Sequence, residues 1–263
     1  MDTITKLLTD ITAFNALLIV MTILAIVVFV ALQRVEAAYG MLYSKRWGPA
    51  IGNRAGWVIM EAPVFFAMAA LWWFSGRRAQ AAPLVFFILF QMHYFQRSFI
   101  FPMLIRGKNR MPVAIIVMGV VFNLVNALMQ GGWIFYLSPA GMYTSAWLCT
   151  PQFITGVIVF FAGMAVNLHS DHIIRNLRQP GDTRHYIPRG GMFRYVSSAN
   201  YLGEWVEWVG FAVLTWSAAG AVFALWTFAN LAPRAAKTHK RYSAEFGEEF
   251  SKLRLKRMIP FIY

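Results

Sequence analysis

The sequence is short of cysteine, of acid and of charge altogether, and each shortage removes a class of protein. One cysteine, Cys149, in 263 residues leaves no disulfide framework and no thiolate metal cage. Charged residues make up 13% of the chain against 59% hydrophobic ones, a balance that excludes disorder and lies well outside the range of soluble globular domains. Asp, Glu, Lys and Arg are all missing from residues 111–170. There is no internal repeat, no G-x-G-x-x-G after a strand, no P-loop and no Gly-x-Ser-x-Gly element. A nucleotide site would therefore be unconventional, and a serine hydrolase has no support. Among the five histidines, His169, His172 and His185 could in principle ligate a metal. The repeated histidine boxes of membrane di-iron enzymes are missing, however, and no metal is expected.

What the chain does have is apolar helix. A bilayer core of about 30 Å takes about 20 apolar helical residues, and spans are expected at residues 11–33, 56–75, 79–102, 112–130 and 147–168. Gly131-Gly132 and Ser138-Pro139-Ala140-Gly141 divide the last two. Asp2, Lys6 and Asp10 precede the first span where a cleaved signal would carry a basic stretch, so it reads as a retained anchor. Residues 199–233 are too long for one perpendicular span and short for two, and charge parity divides them. Basic residues collect in the first connection (Arg34, Lys45, Arg46, Arg54), the third (Arg106, Lys108, Arg110), the fifth (Arg175, Arg178, Arg184, Arg189, Arg194) and the tail, where eight lie between Arg234 and Arg257. The positive-inside rule puts all four segments in the cytoplasm and so needs an even number of crossings in residues 199–233; Arg77 and Arg78 are the exception. The expected fold is an all-α integral membrane protein, one domain over residues 1–263. It has seven transmembrane helices, the N-terminus outside and the C-terminus cytoplasmic. The sixth and seventh spans fall at 199–216 and 219–236. The net charge of +13 then reflects helix ends and anionic lipid, not nucleic acid.

Polar groups inside such spans are costly and point to function. Glu61 lies five residues into the second span. His93 and Tyr94 lie in the antiparallel third, where a Glu61–Tyr94 hydrogen bond is allowed; a phenol oriented by a carboxylate is a sensible proton donor or carbonyl polariser. His93 alone reads as a satisfied interior histidine. Asn200 and Glu204, at i and i+4, share a helix face behind the arginine-rich fifth connection, which suggests a polar ligand at the cytoplasmic mouth. Glu207 reads as a first-turn acid favoured by the helix dipole. Five arginines with glycine-rich turns, in a loop expected over residues 169–198, suit a phosphate.

These residues carry a resemblance to the steroid 5α-reductase family. The densest part runs from Asn176 to Gly210: Asn-Leu-Arg-x-Pro-Gly-Asp-Thr, then Ile-Pro-Arg-Gly-Gly-Met-Phe-x-Tyr-Val-Ser-x-Ala-Asn-Tyr-Leu-Gly-Glu and Glu-Trp-x-Gly. It continues through Arg241-Tyr242 and Ile259-Pro260-Phe261-Ile262-Tyr263, and more thinly through Glu61 and His93-Tyr94-Phe95-x-Arg97. The resemblance implies a seven-span fold and NADPH-dependent reduction of the Δ4 double bond of a 3-oxo steroid. Tyr94, oriented by Glu61, would face the 3-keto oxygen, hydride from the nicotinamide would reach C5, and protonation at C4 would complete the step. It also implies cofactor contacts from Asn167, Asp171, Arg178, Asn200, Glu204, Arg234 and Tyr242, with Arg178 and Arg234 on phosphates, and a steroid cavity lined by Trp57 and Phe223. Expected partners are a steroid or related lipid and the membrane lipids. The chain is expected to be a monomer in the inner membrane of a bacterium or the endoplasmic reticulum of a eukaryote. Met60 stands where animal relatives place Gln before the carboxylate, and Lys237-Thr238-His239-Lys240 replaces their His-rich run.

Three other functions compete with this one. Membrane methyltransferases acting on isoprenylcysteine or phospholipid carry Arg-His-Pro-x-Tyr ahead of their last spans, whereas this chain has Met192-Phe193-Arg194-Tyr195. A transporter would use Glu61 and Glu204 as a pathway but leaves the long motif unexplained. A reductase of another enone or enoyl lipid on the same fold is the nearest rival.

Overall fold

The computed structural model describes residues 3–35, 47–106, 109–178, 182 and 184–263; the expectations placed on Asp2, Lys45, Arg46, Lys108, Pro180, Gly181 and Thr183 lie outside them. A short helix α1 (Thr3–Thr9) leads to α2 (Ile11–Arg34), whose start is fixed by Asp10: its carboxylate accepts from the backbone N–H of Thr12 at 2.8 Å. Strand β1 (Ala50–Gly52) precedes α3 (Asn53–Trp73). Helix α4 (Ala81–Phe95) continues through a π-helical turn, Gln96–Ile100, into α5 (Phe101–Leu104). Strand β2 (Arg110–Pro112) pairs antiparallel with β1, Ile51 opposite Met111, and ties the starts of α3 and α6 (Val113–Gly131) together. A second π-helical turn extends α6 to Leu137. After a 3₁₀ turn come α7 (Pro151–Asn176), α8 (Ala199–Thr215), α9 (Ala218–Phe246) and α10 (Glu248–Ser251).

Among the described residues, five helical stretches are long and apolar enough to cross a membrane: Ile11–Arg34, Asn53–Trp73, Ala81–Leu104, Val113–Leu137 and Pro151–Asn176. They fall on the five expected spans, and the chain is a multi-pass membrane protein. Four helix ends differ from expectation by four residues or more, the first being that of α6, whose π-helical turn carries it through the expected break at Gly131-Gly132 to Leu137. Helix α7 begins four residues late, because Thr150 caps it and Pro151 occupies its first turn. It then runs through His169 to Asn176, where a loop was expected; the apolar periodicity stops there but nothing breaks the helix. Helix α9 likewise runs on to Phe246, since the basic residues after position 236 are good helix formers.

The expected break between α8 and α9 is there. Trp216 takes a left-handed backbone (φ 48°, ψ 45°) and Ser217 caps α9 by accepting from the Gly220 N–H at 3.0 Å. The last carbonyls of α8 are also satisfied: that of Leu214 accepts from the Trp147 indole at 3.0 Å and that of Thr215 from the Tyr143 hydroxyl at 2.6 Å.

Helices α7 and α8 pack antiparallel with their backbones in contact. Gly156 and Gly163 on α7 meet Gly210 and Gly203 on α8. A Cβ at any of the four would lie 2.2–2.3 Å from a backbone nitrogen of the other helix: Leu214, Glu207, Phe160 or Asn167. Glycine is required by that distance, and the close approach supplies the dispersion contacts that drive association in lipid. Elsewhere single hydrogen bonds pin the bundle: Trp226 donates to the Met21 carbonyl at 2.6 Å, joining α9 to α2, and Asn123 to that of Met60 at 2.9 Å, joining α6 to α3.

Gly203→Ala should therefore cost about 2–3 kcal/mol, the scale of forced overpacking, read as a fall in the thermal midpoint of the detergent-solubilised protein. Gly76→Ala, where an added Cβ meets nothing within 4 Å, should leave the midpoint unchanged.

Candidate active site

The functional side chains gather where α3, α4, α6, α7 and α8 converge, in two adjoining groups. The first surrounds Tyr94. Its ring is buried, 4.7 Å from that of Phe90, 4.9 Å from His93 and 5.7 Å from Trp208. Phe223 of α9 closes the other side of Trp208 at 4.5 Å, so Tyr94 and Phe223 belong to one aromatic cluster. Glu61 and Tyr94 are not hydrogen-bonded to each other. Each is held instead by its own asparagine on α6: Asn123 donates to Glu61 Oε2 at 3.0 Å, and Asn126 donates to the Tyr94 hydroxyl oxygen at 3.1 Å. Gln130 follows one turn on, donating to Asn126 Oδ1 at 3.3 Å and to the Ala219 carbonyl at 2.9 Å.

The expectation for Glu207 is corrected. It is 1% exposed, not a solvated first-turn acid, and its Oε1 lies 2.8 Å from His93 Nδ1. Packing against α7 at Gly163 buries this part of α8, and a buried carboxylate requires a partner. His93, as expected, is a satisfied interior histidine.

The second group centres on Arg97, in the π-helical turn. Its guanidinium lies over the Trp57 ring at 4.5 Å and the Phe101 ring at 4.7 Å, with Glu204 Oε2 at 3.3 Å and Asp171 Oδ2 at 3.9 Å. A charge-bearing side chain at that depth is stabilised by two carboxylates and two ring faces together. Asn167 donates to the Asn200 carbonyl at 2.9 Å, and the Asn200 side chain lies against Asp171. Asn167, Asp171, Asn200 and Glu204 thus stand together, as the sequence suggested. Trp57 lies under Arg97, at the edge of this group and away from the Phe223 cluster. Met60 has its side chain seated in the notch left by Gly119 on α6.

The remaining expected residues form the outer wall. Arg234 is buried with its guanidinium 5.9 Å from the Tyr201 ring. Tyr242 packs against Phe246 and Phe250, and burial pushes its phenol up to about 12. Arg178 is exposed, near enough to Tyr242 to be felt by its phenol. The segment after it is fastened to the α9–α10 turn: His185 Nδ1 lies 2.6 Å from Glu245 Oε1, and Arg189 donates to Glu249 at 2.7 Å. His239 keeps a polar contact, its Nδ1 3.1 Å from Ser197 Oγ, while burial and the nearby Arg257 charge hold its imidazole below the ordinary histidine range.

Buried polar atoms without a hydrogen-bond partner test whether this region suits a polar ligand. Ser98 Oγ, Ser170 Oγ, Asp171 Oδ2, Arg175 Nη1 and Ser198 Oγ are all of this kind, and each belongs to a residue within about one helical turn of Arg97, Asp171 or Asn200. Native proteins seldom leave such atoms unsatisfied, and donors mixed with acceptors suit a nucleotide, with sugar hydroxyls as well as phosphates. A cavity of about 400 Å³ lined by Arg77, Gln80, Tyr143 and Thr144 lies at the other end of α4, remote from these groups.

Comparison with known proteins places this arrangement. A sequence model of the 3-oxo-5-alpha-steroid 4-dehydrogenase family matches residues 109–263. The mouse protein named 3-oxo-5-alpha-steroid 4-dehydrogenase 1 is 42% identical over 97% of this chain and 99% of its own length. Its human counterpart is 39% identical over 90% of each chain. The Arabidopsis thaliana protein named Steroid 5-alpha-reductase DET2 is 37% identical over 89% of this chain and 90% of its own. Similarity of that extent, carried across the helices that hold Tyr94, Arg97 and Glu204, shows that this chain is an oxidoreductase of the steroid 5α-reductase (3-oxo-5-alpha-steroid 4-dehydrogenase) family.

Proposed function

We propose that the enzyme reduces the Δ4 double bond of a 3-oxo-Δ4 steroid to the 5α-dihydro product, using NADPH. The bundle does so as seven spans with the N-terminus outside and the cofactor mouth in the cytoplasm. The observation that carries the reading is the state of Tyr94: a buried phenol whose oxygen accepts from Asn126 and whose own proton has no acceptor among the described residues. It is thereby available to a ketone oxygen.

The bound cofactor supplies the hydride that C5 receives. Reduction of a conjugated enone builds enolate charge on the 3-keto oxygen, and a donor already in place in a dry pocket stabilises that charge without reorganising. Tyr94 is that donor. Glu61, held by Asn123, would join Tyr94 on the substrate side of the site. Asn167, Asp171, Asn200 and Glu204 would hold the cofactor's polar atoms around Arg97, with Arg178 and Arg234 toward its phosphates and Tyr242 on the outer wall. The aromatic cluster of Phe90, Trp208 and Phe223 excludes water from the reacting face.

Purified enzyme given NADPH and progesterone or testosterone should oxidise the cofactor and yield the 5α-dihydro steroid, identified by mass and stereochemistry. Binding of NADPH without consumption of any such steroid would move the substrate to another enone lipid. Tyr94→Phe and Glu61→Gln should each lower kcat about 100-fold, the scale of a lost acid catalyst, while the Kd for NADPH stays near its starting value. Arg178→Ala and Asn200→Ala should instead raise that Kd about tenfold; an unchanged Kd in both would contradict the cofactor assignment. Arg97→Leu, which removes the cation between Glu204 and Asp171, should impair NADPH binding more than either.

A further inference from the structure

The hydrogen bonds behind Tyr94 have a direction that the side chains themselves cannot choose. The Ala219 carbonyl can only accept, so Gln130 must turn its amide nitrogen toward it. The second hydrogen of that nitrogen reaches Asn126 and needs an acceptor there, so Asn126 presents its oxygen to Gln130. Its nitrogen is thereby left for Tyr94, and the phenol oxygen is obliged to accept. Asn126 and Gln130 are 0% and 1% exposed, so water does not compete for these positions.

We infer that Asn126 and Gln130 are positioning residues that orient the Tyr94 hydroxyl, with the backbone carbonyl at the start of α9 as the origin of the polarity: the chain Ala219, Gln130, Asn126 obliges the phenol to accept from the protein and to donate outward. The inference rests on the proposed role of Tyr94 toward a ketone. It goes beyond that role in assigning two amides, neither of which touches substrate, to the orientation of one proton. The linkage also ties the active phenol to the turn between α8 and α9, because Ala219 lies two residues after the Ser217 cap.

The test exploits the near-identical shapes of asparagine and aspartate. Asn126→Asp keeps the packing but reverses the bond: a carboxylate only accepts, so it captures the Tyr94 proton. Turnover at neutral pH should fall about 100-fold and recover as the pH is lowered and the new carboxyl takes up a proton. Asn126→Leu removes the bond without capturing the proton and should cost about tenfold with no recovery in acid. The other charged or titratable groups about the phenol are Glu61 on α3, His93 on α4, Arg97 in the π-helical turn, and Glu204 and Glu207 on α8. They are common to all forms, so a difference between pH profiles belongs to position 126. The Kd for NADPH should be unchanged throughout.

A purely structural role predicts the opposite ranking, with the isosteric Asn126→Asp milder than Asn126→Leu. That ranking, or equal losses without acid recovery, overturns the inference. A second readout needs no turnover. The Raman Fermi doublet of Tyr94, taken as wild type minus Tyr94→Phe, should report an accepting phenol in the wild type and a donating one in Asn126→Asp. If the wild type reduces no steroid but the doublet reverses, the proposed substrate fails and the orientation stands; if the doublet is the same in both, the orientation fails.

Discussion

Backbone contact between α7 and α8 is the constraint on which the site depends. Four glycines, two on each helix and seven residues apart, let the two helices touch along a full heptad, and the polar residues sit on the same stretch. Asn167 faces Gly203, and Glu207 faces Gly163. Residues that in a looser pair would reach water are thereby held within hydrogen-bond distance of one another. The same contact explains the burial of Glu207 and the need for His93 opposite it. In a membrane, where apolar side chains gain little by leaving lipid for protein, close packing of small residues is the available source of rigidity. A catalytic group that must be placed to a fraction of an ångström needs that rigidity.

The opposing cost is electrostatic. Glu61, Asp171, Glu204 and Glu207 approach one another with Arg97 and His93 among them, and removing so many ionisable groups from water is unfavourable by several kcal/mol for each unpaired ion. The structure offsets this locally. Arg97 meets two carboxylates and two aromatic faces, Glu207 meets His93, and Glu61 meets Asn123. What is left unsatisfied, including Asp171 Oδ2 and Arg175 Nη1, is concentrated where a nucleotide is proposed to bind. A ligand that satisfies those atoms would stabilise the fold accordingly.

Much of this was legible in the sequence. The five apolar helices announce themselves through run length. The turn at Trp216 and Ser217 follows from a charge-parity argument although neither flanking helix is apolar enough to be found by hydropathy. Asn200 and Glu204 share a face by simple spacing. What sequence reasoning missed was pairing across helices. Arg97, the centre of the second group, was visible as a charge inside an apolar span three residues after Tyr94, but spacing alone does not say which carboxylates meet it. Asn123, Asn126 and Gln130 recur at i, i+3 and i+7 within a stretch devoid of charge, a polar stripe on one helix face. That stripe was the available signal for the residues that hold Glu61 and Tyr94. The misreadings of Glu207 and of residues 169–176 share a cause: composition shows that a segment is polar but not whether a neighbouring helix covers it.

At the heart of the proposed reaction, a hydride reaches C5 of a steroid enone while Tyr94 stabilises the ketone oxygen. Incubating the enzyme with progesterone and NADPH deuterated at the nicotinamide C4 tests it most directly, using each epimer in turn. The account predicts that one epimer gives a 5α-dihydro product carrying a single deuterium at C5, with the new hydrogen at C4 drawn from solvent. Deuterium absent from the product, or found on any carbon other than C5, would contradict it.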